Sequence, residues 1–382
     1  MTNLNFTIQD QTFDVGYETT DTMPVASMPK QYQVSFVQGE NFTWIENKIR
    51  GAARPIILID KRVRKNILSH LDLSGIPCYE LEAVETNKDI QTVLKVCEFL
   101  TKHNANRGTM LFVIGGGIVQ DIGAFCGRMY KRGIPWTFIP TTLLSQADSC
   151  LGGKTAVNFR ETKNVLGLFS APQEVCIDEN FIPSLTNEDI YSGIGEMYRL
   201  LITGGLTSFE IMEQNIESLA KLDVTTIKEL MKHSLNVKKI IVEHDEFELD
   251  IRRSMNYGHS VGHALEAASH YAIPHGQGVT IGILVENQIA YNRGLLSKTE
   301  LDRMKAVGLR LISPRSLTFL SMFDADTLLE FLMNDKKAVG TVLKLATLEK
   351  IGVMKFIDLN LNTEGQQEVS KAFYEVLSLI HI

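Results

Sequence analysis

The feature that most constrains the fold is an apolar run that ends in three glycines and continues as a helix-like stretch. Residues 110–114 are apolar throughout, Gly115, Gly116 and Gly117 follow at once, and residues 119–130 have helical spacing. A strand, a glycine turn and a helix place bare backbone N–H groups and a helix N-terminus beside a phosphate. A lone glycine turn is equally compatible with an ordinary tight connection, so its meaning depends on the rest of the chain.

Strand and helix patterns alternate over the first half of the chain. Strands are predicted at 55–60, 77–81, 110–114 and 136–139, and helices at 63–71, 87–103 and 119–130. This alternation favours a mostly parallel sheet covered on both faces, in which ligands lie at the carboxyl ends of the strands. Asp60, the glycine turn and the pair Thr141 and Thr142 all fall at that edge.

The pattern changes after about residue 183, where strand patterns become rare. Helical patterns then dominate, at 187–202, 209–222, 225–245, 256–270, 278–293, 298–307 and 324–335. We therefore predict a Rossmann-like α/β domain over 31–183 and an all-helical domain over 184–382. Residues 1–30 are predicted to be an N-terminal extension, either an edge strand or a disordered arm.

Composition excludes several classes of function. A net charge of -7 argues against a general surface for nucleic acid or anionic membranes. No apolar run approaches the ~20 residues that span a bilayer. The polar, acidic N-terminus lacks the features of a signal peptide. The five cysteines show no CxxC pairing and indicate reduced thiols, so we expect a cytoplasmic protein.

A group of histidines indicates a metal site. His259 and His263 are four residues apart, so they share one face of a helix, and His275 follows twelve residues later. Glu196, in the run SGIGE, is the favoured oxygen ligand. Spacing alone selects His259 and His263 as the ligand pair. The alternative is that these are satisfied polar residues in a helical core.

A second group of residues is basic. Its members, several of them beside glycines or on amphipathic helices, are Lys154, Lys163 with Asn164, Lys238, Arg252, and Lys336 with Lys337. Such a group in a protein of net negative charge favours a doubly anionic small substrate. The alternative for each lysine is a solvated surface charge, and for Lys238, Lys336 and Lys337 the residues alone leave that alternative ahead.

Several segments together resemble the dehydroquinate synthases, which belong to the sugar phosphate cyclase superfamily. They read GGGIVQDIGAF, YKRG, PTTLLSQADSCLGGKTAVN, KNVLG, SGIGE, DEFELDIRRSMNYGHSVGHALE, HGQ and NDKK. The resemblance covers about residues 31–382. It implies an NAD-binding α/β domain, a helical metal domain, an active site in the cleft between them, and a homodimer.

The resemblance also implies roles for individual residues. Those expected to contact NAD are Asp60, Glu85, Lys88, Gly115, Gly116, Gly117, Asp121, Thr141, Thr142, Phe181 and Ser184, with Lys163 where nicotinamide and substrate meet. The implied ligands of zinc or cobalt are Glu196, His259 and His275. His263 becomes a substrate and phosphate contact, so the resemblance overrules the ligand pair chosen from spacing.

On the substrate side, the resemblance implies contacts from Asp148, Lys154, Asn164, Lys238, Arg252, Asn256, His263 and Lys336. Arg132 is expected to reach into the neighbouring subunit's site. The residues expected to act in catalysis are Lys154, Lys163, Arg199 and His263.

The implied reaction converts 3-deoxy-D-arabino-heptulosonate 7-phosphate to 3-dehydroquinate and phosphate, a step of the shikimate pathway to the aromatic amino acids. The metal lowers the pKa of the hydroxyl to be oxidised, and NAD accepts a hydride there. The new ketone acidifies the adjacent C–H, so phosphate leaves by elimination, with the phosphate as the base. NADH then returns the hydride, and ring opening with an intramolecular aldol reaction closes the carbocycle.

Two residues depart from the family's usual pattern. Arg199 replaces a lysine, so a compact point charge is exchanged for a planar guanidinium group. Gln277 replaces a glutamate, so a carboxylate behind the metal ligands is expected to be lost. Retention of Lys238, Arg252 and Asn256 favours an acidic substrate.

Three alternatives remain open. The first is a natural-product cyclase of the valiolone, deoxy-scyllo-inosose or aminodehydroquinate type. The second is a glycerol dehydrogenase-like enzyme, against which the phosphate-binding residues speak. The third is an inactive scaffold homologue, against which the complete set of metal ligands speaks.

Overall fold

The computed structural model describes residues 4–16, 21–26, 30–160, 162–333, 338–339 and 342–380. The chain divides into two compact units, Met1–Tyr17 with Thr186–Ile382, and Glu18–Leu185. We call them the metal unit and the nucleotide unit, after the residues predicted for each. Within the described ranges, no helix is both long enough and apolar enough to cross a membrane.

The strands of both units are, in chain order, β1 (Leu4–Ile8), β2 (Gln11–Val15), β3 (Thr22–Val25), β4 (Tyr32–Phe36), β5 (Pro55–Asp60), β6 (Cys78–Leu81), β7 (Met110–Gly115), β8 (Trp136–Pro140), β9 (Lys154–Phe159), β10 (Thr162–Phe169), β11 (Glu174–Ile177), β12 (Ala338–Val339), β13 (Val342–Lys350) and β14 (Val353–Asn360).

The α-helices are α1 (Thr43–Arg50), α2 (Lys61–Asn66), α3 (Ile90–Lys102), α4 (Gly117–Met129), α5 (Asn187–Thr203), α6 (Leu206–Gln214), α7 (Ile216–Ala220), α8 (Val224–His244), α9 (His259–Ala268), α10 (His275–Asn292), α11 (Lys298–Arg310), α12 (Pro314–Leu320), α13 (Ala325–Met333) and α14 (Thr363–Leu377).

The nucleotide unit contains a seven-stranded sheet in the order β3-β4-β11-β8-β7-β5-β6. All neighbours pair in parallel except β3 with β4. The central strands β5, β7 and β8 carry four or more consecutive buried residues, the pattern of strands covered on both faces. The predicted parallel α/β domain is confirmed.

The nucleotide unit also contains an antiparallel pair, β9 with β10, that the sequence patterns did not predict. The pairing is irregular between Thr162 and Leu166, where Asn164 adopts a positive φ of 54°. Lys154, Lys163 and Asn164 lie on this pair. Strands of mostly half-exposed residues lack a clear apolar alternation, which explains the missed prediction.

The metal unit is mainly helical, as predicted, but it is not all-helical. It contains a five-stranded sheet in the order β12-β13-β14-β1-β2. The hairpin of β1 and β2 turns at Gln9 and Asp10, whose positive φ angles suit a two-residue turn. Strand β1 pairs in parallel with β14 near the other end of the chain. Local patterns cannot reveal a pairing of such sequence separation.

The predicted extension over 1–30 therefore divides between the units where it is described. Strands β1 and β2 belong to the metal unit, and β3 belongs to the sheet of the nucleotide unit. Residues 1–3, 17–20 and 27–29 lie outside the described residues.

Glycines let three helices of the metal unit approach closely. A Cβ atom on Gly195 of α5 would lie 2.0 Å from the carbonyl oxygen of Gly276, and one on Gly276 would lie 1.8 Å from that of Ser192. A Cβ on Gly262 of α9 would lie 2.9 Å from the backbone of Gly278. No larger residue fits at these positions without backbone movement. The contacts between α5, α9 and α10 determine where Glu196, His259 and His275 meet.

Candidate functional site

The candidate metal site lies where α5, α9 and α10 meet. Glu196 Oε1 is 3.1 Å from Nε2 of His275 and 3.6 Å from Nε2 of His259. One ring nitrogen each of His259, His263 and His275 lies within 4.8 Å of the others. The structure therefore brings together the ligand set implied by resemblance and also His263, which spacing had selected.

The hydrogen bond of His259 determines which of its nitrogens faces Glu196. Nδ1 lies 3.1 Å from the carbonyl oxygen of Tyr257. Because a carbonyl only accepts hydrogen bonds, Nδ1 carries the hydrogen and the lone pair is on Nε2. The Tyr257 side chain is itself buried, and its hydroxyl donates to Asn287 Oδ1 at 2.6 Å. The imidazole is thus presented to the site in one tautomer.

Arg199 lies against the other oxygen of Glu196. Its Nε donates to Glu196 Oε2 at 2.8 Å, and the two side chains are only 2% and 1% exposed. Arg199 Nη1 also donates to Met255 Sδ at 3.0 Å. Burial acts to raise the pKa of Glu196, but the Arg199 guanidinium and His275 outweigh it and hold that pKa well below its ordinary range. Glu196 is therefore ionised.

His275 has a carboxylate on each side. Glu196 lies at Nε2, and Glu266 Oε2 is 3.1 Å from Nδ1. In the metal-free protein, burial acts to lower the pKa of His275, but the two carboxylates beside it raise that pKa to about 10. A metal at Nε2 would displace that proton, so metal binding and proton release are coupled.

The residues present fit a divalent metal ion. Glu196 Oε1 is buried and makes no well-aligned hydrogen bond within the described part of the chain, although two imidazole nitrogens face it. One carboxylate and two imidazoles are a donor set that suits zinc or cobalt, and three protein ligands leave positions open for a substrate.

Gln277, one of the two departures from the family's usual pattern, bonds backbone groups. The side chain is buried and donates from Nε2 to the carbonyls of Tyr191 and Leu311, each at 3.0 Å. Its Oε1 accepts from Ser313 N at 2.7 Å. Gln277 thus connects the backbone at Tyr191 with the backbone at Leu311 and Ser313. The carboxylate beside His275 is that of Glu266. The hydrogen bonds of Gln277 go to backbone groups and not to a predicted metal ligand, so the expected effect on the metal remains a prediction.

The predicted substrate residues of the metal unit lie on α8 and on the segment that precedes α9. Lys238 is buried on α8, which packs against the 3-10 helix Ile251–Asn256 that contains Arg252 and Asn256. The carboxylate of Asp245 accepts from the backbone N–H of Arg252 at 3.0 Å and helps to shape this segment. Lys336, and Lys337 beside it, lie outside the described residues.

Two acidic partners of these residues were not predicted. Arg252 Nη1 is 3.5 Å from Glu246 Oε1 and also donates to the Glu246 carbonyl. Asn256 Nδ2 donates to Glu248 Oε1 at 2.7 Å. The signal in the sequence was the run DEFELD, whose acids lie just before the basic residues. These acids hold the predicted substrate contacts in defined orientations.

In the nucleotide unit, the glycine turn and the threonine pair lie side by side. Gly115 ends β7 and its carbonyl accepts from Thr141 N at 3.0 Å. A Cβ on Gly116 would lie 2.9 Å from Thr142 Cγ2, and Gly117 begins α4. The helix N-terminus therefore opens at the carboxyl edge of the sheet, where a phosphate would meet free N–H groups.

Asp60 lies at the same edge, at the end of β5, which pairs with β7. Its Oδ1 accepts from Arg62 N at 2.7 Å and caps α2. Burial raises the pKa of Asp60 above its ordinary value, and its backbone hydrogen bonds only partly offset this.

A polar network joins five of the predicted residues through Asn158, whose Nδ2 donates to Glu85 Oε1 at 2.8 Å and whose Oδ1 accepts from Asn164 N at 3.0 Å. Lys88 Nζ is 2.5 Å from Asp121 Oδ2 and donates to Asn164 Oδ1 at 2.8 Å. Lys163 Nζ lies 3.8 Å from Glu85 Oε1. Residues expected to contact NAD and residues expected to contact substrate are thus neighbours within this unit.

The remaining predicted residues of this unit have varied settings. Asp148 lies in the π-helical turn Ser145–Ser149, and Lys154 is exposed at the start of β9. Arg132 is exposed in the turn after α4, with a positive φ of 64°. Lys154 and Arg132 are thus exposed to solvent, whereas Asp148 is half-buried.

Phe181 and Ser184 lie in the 3-10 helix Glu179–Ser184. The Phe181 ring is fully buried and stacks on Phe42 at a centroid distance of 4.4 Å. Ser184 Oγ donates to the Phe181 carbonyl at 2.6 Å. The structure gives the Phe181 side chain a packing role, because it presents no surface to a ligand.

A hydrogen-bonded pair beside the glycine turn was not predicted from the sequence. Gln120 Nε2 donates to the Ser149 carbonyl at 2.6 Å, and Ser149 Oγ donates to Gln120 Oε1 at 2.6 Å. This pair links α4 to the turn that carries Asp148. The sequence did contain an indication of this pair, because glutamine occupies position 120, which the helical pattern after the glycines places on the buried face of α4.

Comparison with known proteins identifies the family. Residues 78–192 match the family described as 3-dehydroquinate synthase N-terminal, and residues 193–338 match 3-dehydroquinate synthase C-terminal. A 3-dehydroquinate synthase from Dictyoglomus turgidum is 37% identical over 279 residues, which are 72% of this chain and 76% of that protein.

Two solved structures share the fold. A 2-deoxy-scyllo-inosose synthase complexed with carbaglucose-6-phosphate, NAD+ and Co2+ has a TM-score of 0.76 at 20% identity, covering 93% of this chain and 99% of that chain. ValA, a 2-epi-5-epi-valiolone synthase from Streptomyces hygroscopicus with NAD+ and Zn2+ bound, also has a TM-score of 0.76, at 24% identity, covering 91% and 97%. The family matches, the relative and the shared fold lead to one conclusion: the chain belongs to the 3-dehydroquinate synthase family.

Proposed function

We propose that the protein is a sugar phosphate cyclase, a 3-dehydroquinate synthase that converts 3-deoxy-D-arabino-heptulosonate 7-phosphate to 3-dehydroquinate and phosphate. The observation that carries this proposal is Glu196 Oε1 facing the Nε2 atoms of His259 and His275, in a chain of this family. The two cyclase structures with NAD+ and Co2+ or Zn2+ support the same cofactors here.

We assign the metal to Glu196, His259 and His275, and NAD to the residues at the glycine edge of the nucleotide unit. When bound, the metal supplies Lewis acidity that lowers a substrate hydroxyl's pKa, and NAD supplies a reversible hydride acceptor. Gly115, Gly116 and Gly117 supply the close backbone approach that a dinucleotide phosphate requires.

The substrate is proposed to be held by its two anionic groups. Arg252 and Lys238 with Asn256 would bind the carboxylate, and Lys154, Asn164 and His263 would bind the phosphate by charge-assisted hydrogen bonds. Held in this way, the phosphate would be positioned to take up a proton from the neighbouring carbon as it leaves. Lys163 is assigned to the region where nicotinamide and substrate meet.

Arg199 acts through Glu196 in this proposal and does not contact the substrate. Its guanidinium is buried and donates to Glu196 Oε2, so its role is to fix and charge-balance the metal ligand. This changes the expectation that Arg199 is itself a catalytic group.

Phosphate release tests the proposal. Purified protein with NAD+ and Zn2+ or Co2+ is given the heptulosonate phosphate, sedoheptulose phosphate or glucose phosphate in separate assays. We expect phosphate release from the heptulosonate phosphate only, without net NADH. Turnover of only the two sugar phosphates that lack a carboxylate would overturn the dehydroquinate assignment. Accumulation of NADH in step with product would indicate a simple dehydrogenase.

The second candidate is a natural-product cyclase that acts on a sugar phosphate without a carboxylate group. The fold shared with the two cyclase structures favours it. The same panel of sugars separates the two candidates.

A cytoplasmic homodimer with Arg132 at the subunit contact completes the proposal. Arg132 is exposed in its turn, as such a contact requires. Sedimentation of the wild-type protein and of Arg132→Ala tests this, and a monomeric wild-type protein would refute it.

A further inference from the structure

We propose that Glu266 is a positioning residue that fixes the orientation and tautomer of His275 and strengthens it as a metal ligand. This inference rests on the proposed metal site and goes beyond it, because Glu266 belongs to neither the predicted ligands nor the predicted substrate contacts.

The geometry that carries the inference is a chain of three side chains. Glu266 Oε2 lies 3.1 Å from His275 Nδ1, and His275 Nε2 lies 3.1 Å from Glu196 Oε1. The side chains of Glu266 and Glu196 are 12% and 1% exposed. An ionised carboxylate only accepts hydrogen bonds, so Nδ1 carries a hydrogen and Nε2 is left to donate its lone pair to a metal.

The two imidazoles of the proposed site differ in the partner at Nδ1. His259 bonds the backbone carbonyl of Tyr257, a neutral group that no substitution removes. His275 bonds a carboxylate, which is charged and belongs to a side chain. A carboxylate at Nδ1 increases the basicity of an imidazole as a metal ligand more than a backbone carbonyl does. His275 is therefore expected to gain more as a ligand from its Nδ1 partner than His259 does.

Helix geometry places Glu266 where it can reach His275. Steps of four and three residues along α9 lead from His259 to His263 and from there to Glu266, so all three lie on one face. The close approach of α9 and α10 at Gly262 and Gly278 brings that face to the first residue of α10, which is His275.

Cobalt binding tests this role independently of turnover. The metal-free full-length protein and its Glu266→Gln and Glu266→Ala variants are titrated with Co2+, following visible absorption and competition with a chromophoric chelator. We expect Co2+ affinity to fall by about 10- to 100-fold, with the alanine variant at least as weak as the glutamine variant, and the absorption bands of bound Co2+ to shift. Glutamine can still accept a hydrogen bond from Nδ1, so it isolates the effect of charge.

Glu217→Gln is the matched control, because it removes the same charge from the same unit. Glu217 pairs with Arg310 at the surface, where the two side chains are 68% and 52% exposed. We expect its Co2+ affinity to stay within about twofold of the wild type, since solvent screens such a pair. Equal losses in Glu217→Gln and Glu266→Gln would overturn the inference, as would unchanged affinity and spectrum in both Glu266 variants.

Glu196→Ala separates this inference from the proposed metal site. If Glu196→Ala loses Co2+ while both Glu266 variants bind as the wild type does, only the role of Glu266 is refuted. If Glu196→Ala binds Co2+ like the wild type, the proposed metal site itself fails, and the inference with it. Circular dichroism of each metal-free variant checks that the fold is retained.

Discussion

Replacing Arg199 with methionine is expected to destabilise the metal-free protein strongly. Methionine fills much of the volume of arginine but removes the N–H group that donates to Glu196 Oε2 at 2.8 Å. Glu196 is 1% exposed, so its charge would lose its guanidinium partner without gaining water. A buried ion whose partner is removed keeps its desolvation penalty.

The size of the effect follows from that burial. Removing one partner of a buried ion pair costs about 3–5 kcal/mol in the free energy of unfolding. His275 remains 3.1 Å from Glu196 Oε1 and compensates part of the charge, which favours the lower end of the range. For a cooperative unit of the size of the metal unit, about 3 kcal/mol corresponds to a fall in Tm of roughly 6–12 °C.

The loss should depend on pH. Arg199 helps to hold the pKa of Glu196 below its ordinary value of 4.5. A lowered folded-state pKa contributes stability that is fully present above the unfolded-state pKa and is lost as pH falls towards the folded-state pKa. Without Arg199 the pKa of Glu196 rises, so the difference in stability between wild type and variant should be fully present above that raised pKa and should shrink as pH falls from it towards the lower pKa of the wild type.

Urea unfolding of both proteins at several pH values, after metal removal, measures this difference. Arg310→Met is the control, because it breaks an ion pair with Glu217 that is exposed on both sides and contributes about 0–1 kcal/mol. A loss below about 1 kcal/mol for Arg199→Met at pH 7, or a loss equal to that of the control, would contradict the electrostatic reasoning.

Two further substitutions test the two units separately. Gly116→Ala should weaken NAD+ binding measured by calorimetry at least about tenfold, because the new Cβ would lie 2.9 Å from Thr142 Cγ2 and push the glycine turn from the edge where we place the phosphate. Gln277→Glu, which restores the residue usual in the family, should lower the unfolding free energy by about 1–3 kcal/mol at pH 8 in urea titrations. It would place a carboxylate against the carbonyls of Tyr191 and Leu311 in place of an amide donor.

Each of these substitutions has a control. Gly167→Ala on β10 meets only ordinary contacts, the nearest at 3.6 Å, so its NAD+ affinity should match the wild type. Gln277→Met removes the hydrogen bonds without adding a charge, and it should cost less than Gln277→Glu at pH 8. NAD+ binding unchanged in Gly116→Ala, or a Gln277→Glu protein as stable as the wild type, would contradict the respective argument.

The residues at the carboxyl edge of the sheet in the nucleotide unit could be predicted, because the sequence patterns that indicate them are local. The apolar run before Gly115 and the helical spacing after Gly117 lie next to each other, and Asp60 directly follows a run of buried residues. The polar network of Lys88 and Asp121 was not evident, because it depends on how β9 packs against α3 and α4.

The metal site was only partly predictable. Helical spacing relates His259 to His263, but it carries no information on the distance from either residue to Glu196 or His275. The resemblance supplied those ligands, and the structure shows how glycines at 195, 262 and 276 let the backbones approach. The carboxylate beside His275 is that of Glu266, which was not among the predicted residues.

By itself, the sequence determined the parallel α/β pattern, the glycine turn at the end of a strand, the family, and the residue types available for a metal and two anions. These depend on periodicity and motif, which act over short distances along the chain. The tertiary structure alone decided that β1 joins β14 in one sheet and that Arg199 pairs with Glu196 and Glu266 with His275. Such contacts arise from how closely helices and strands pack, and a linear pattern does not contain that distance.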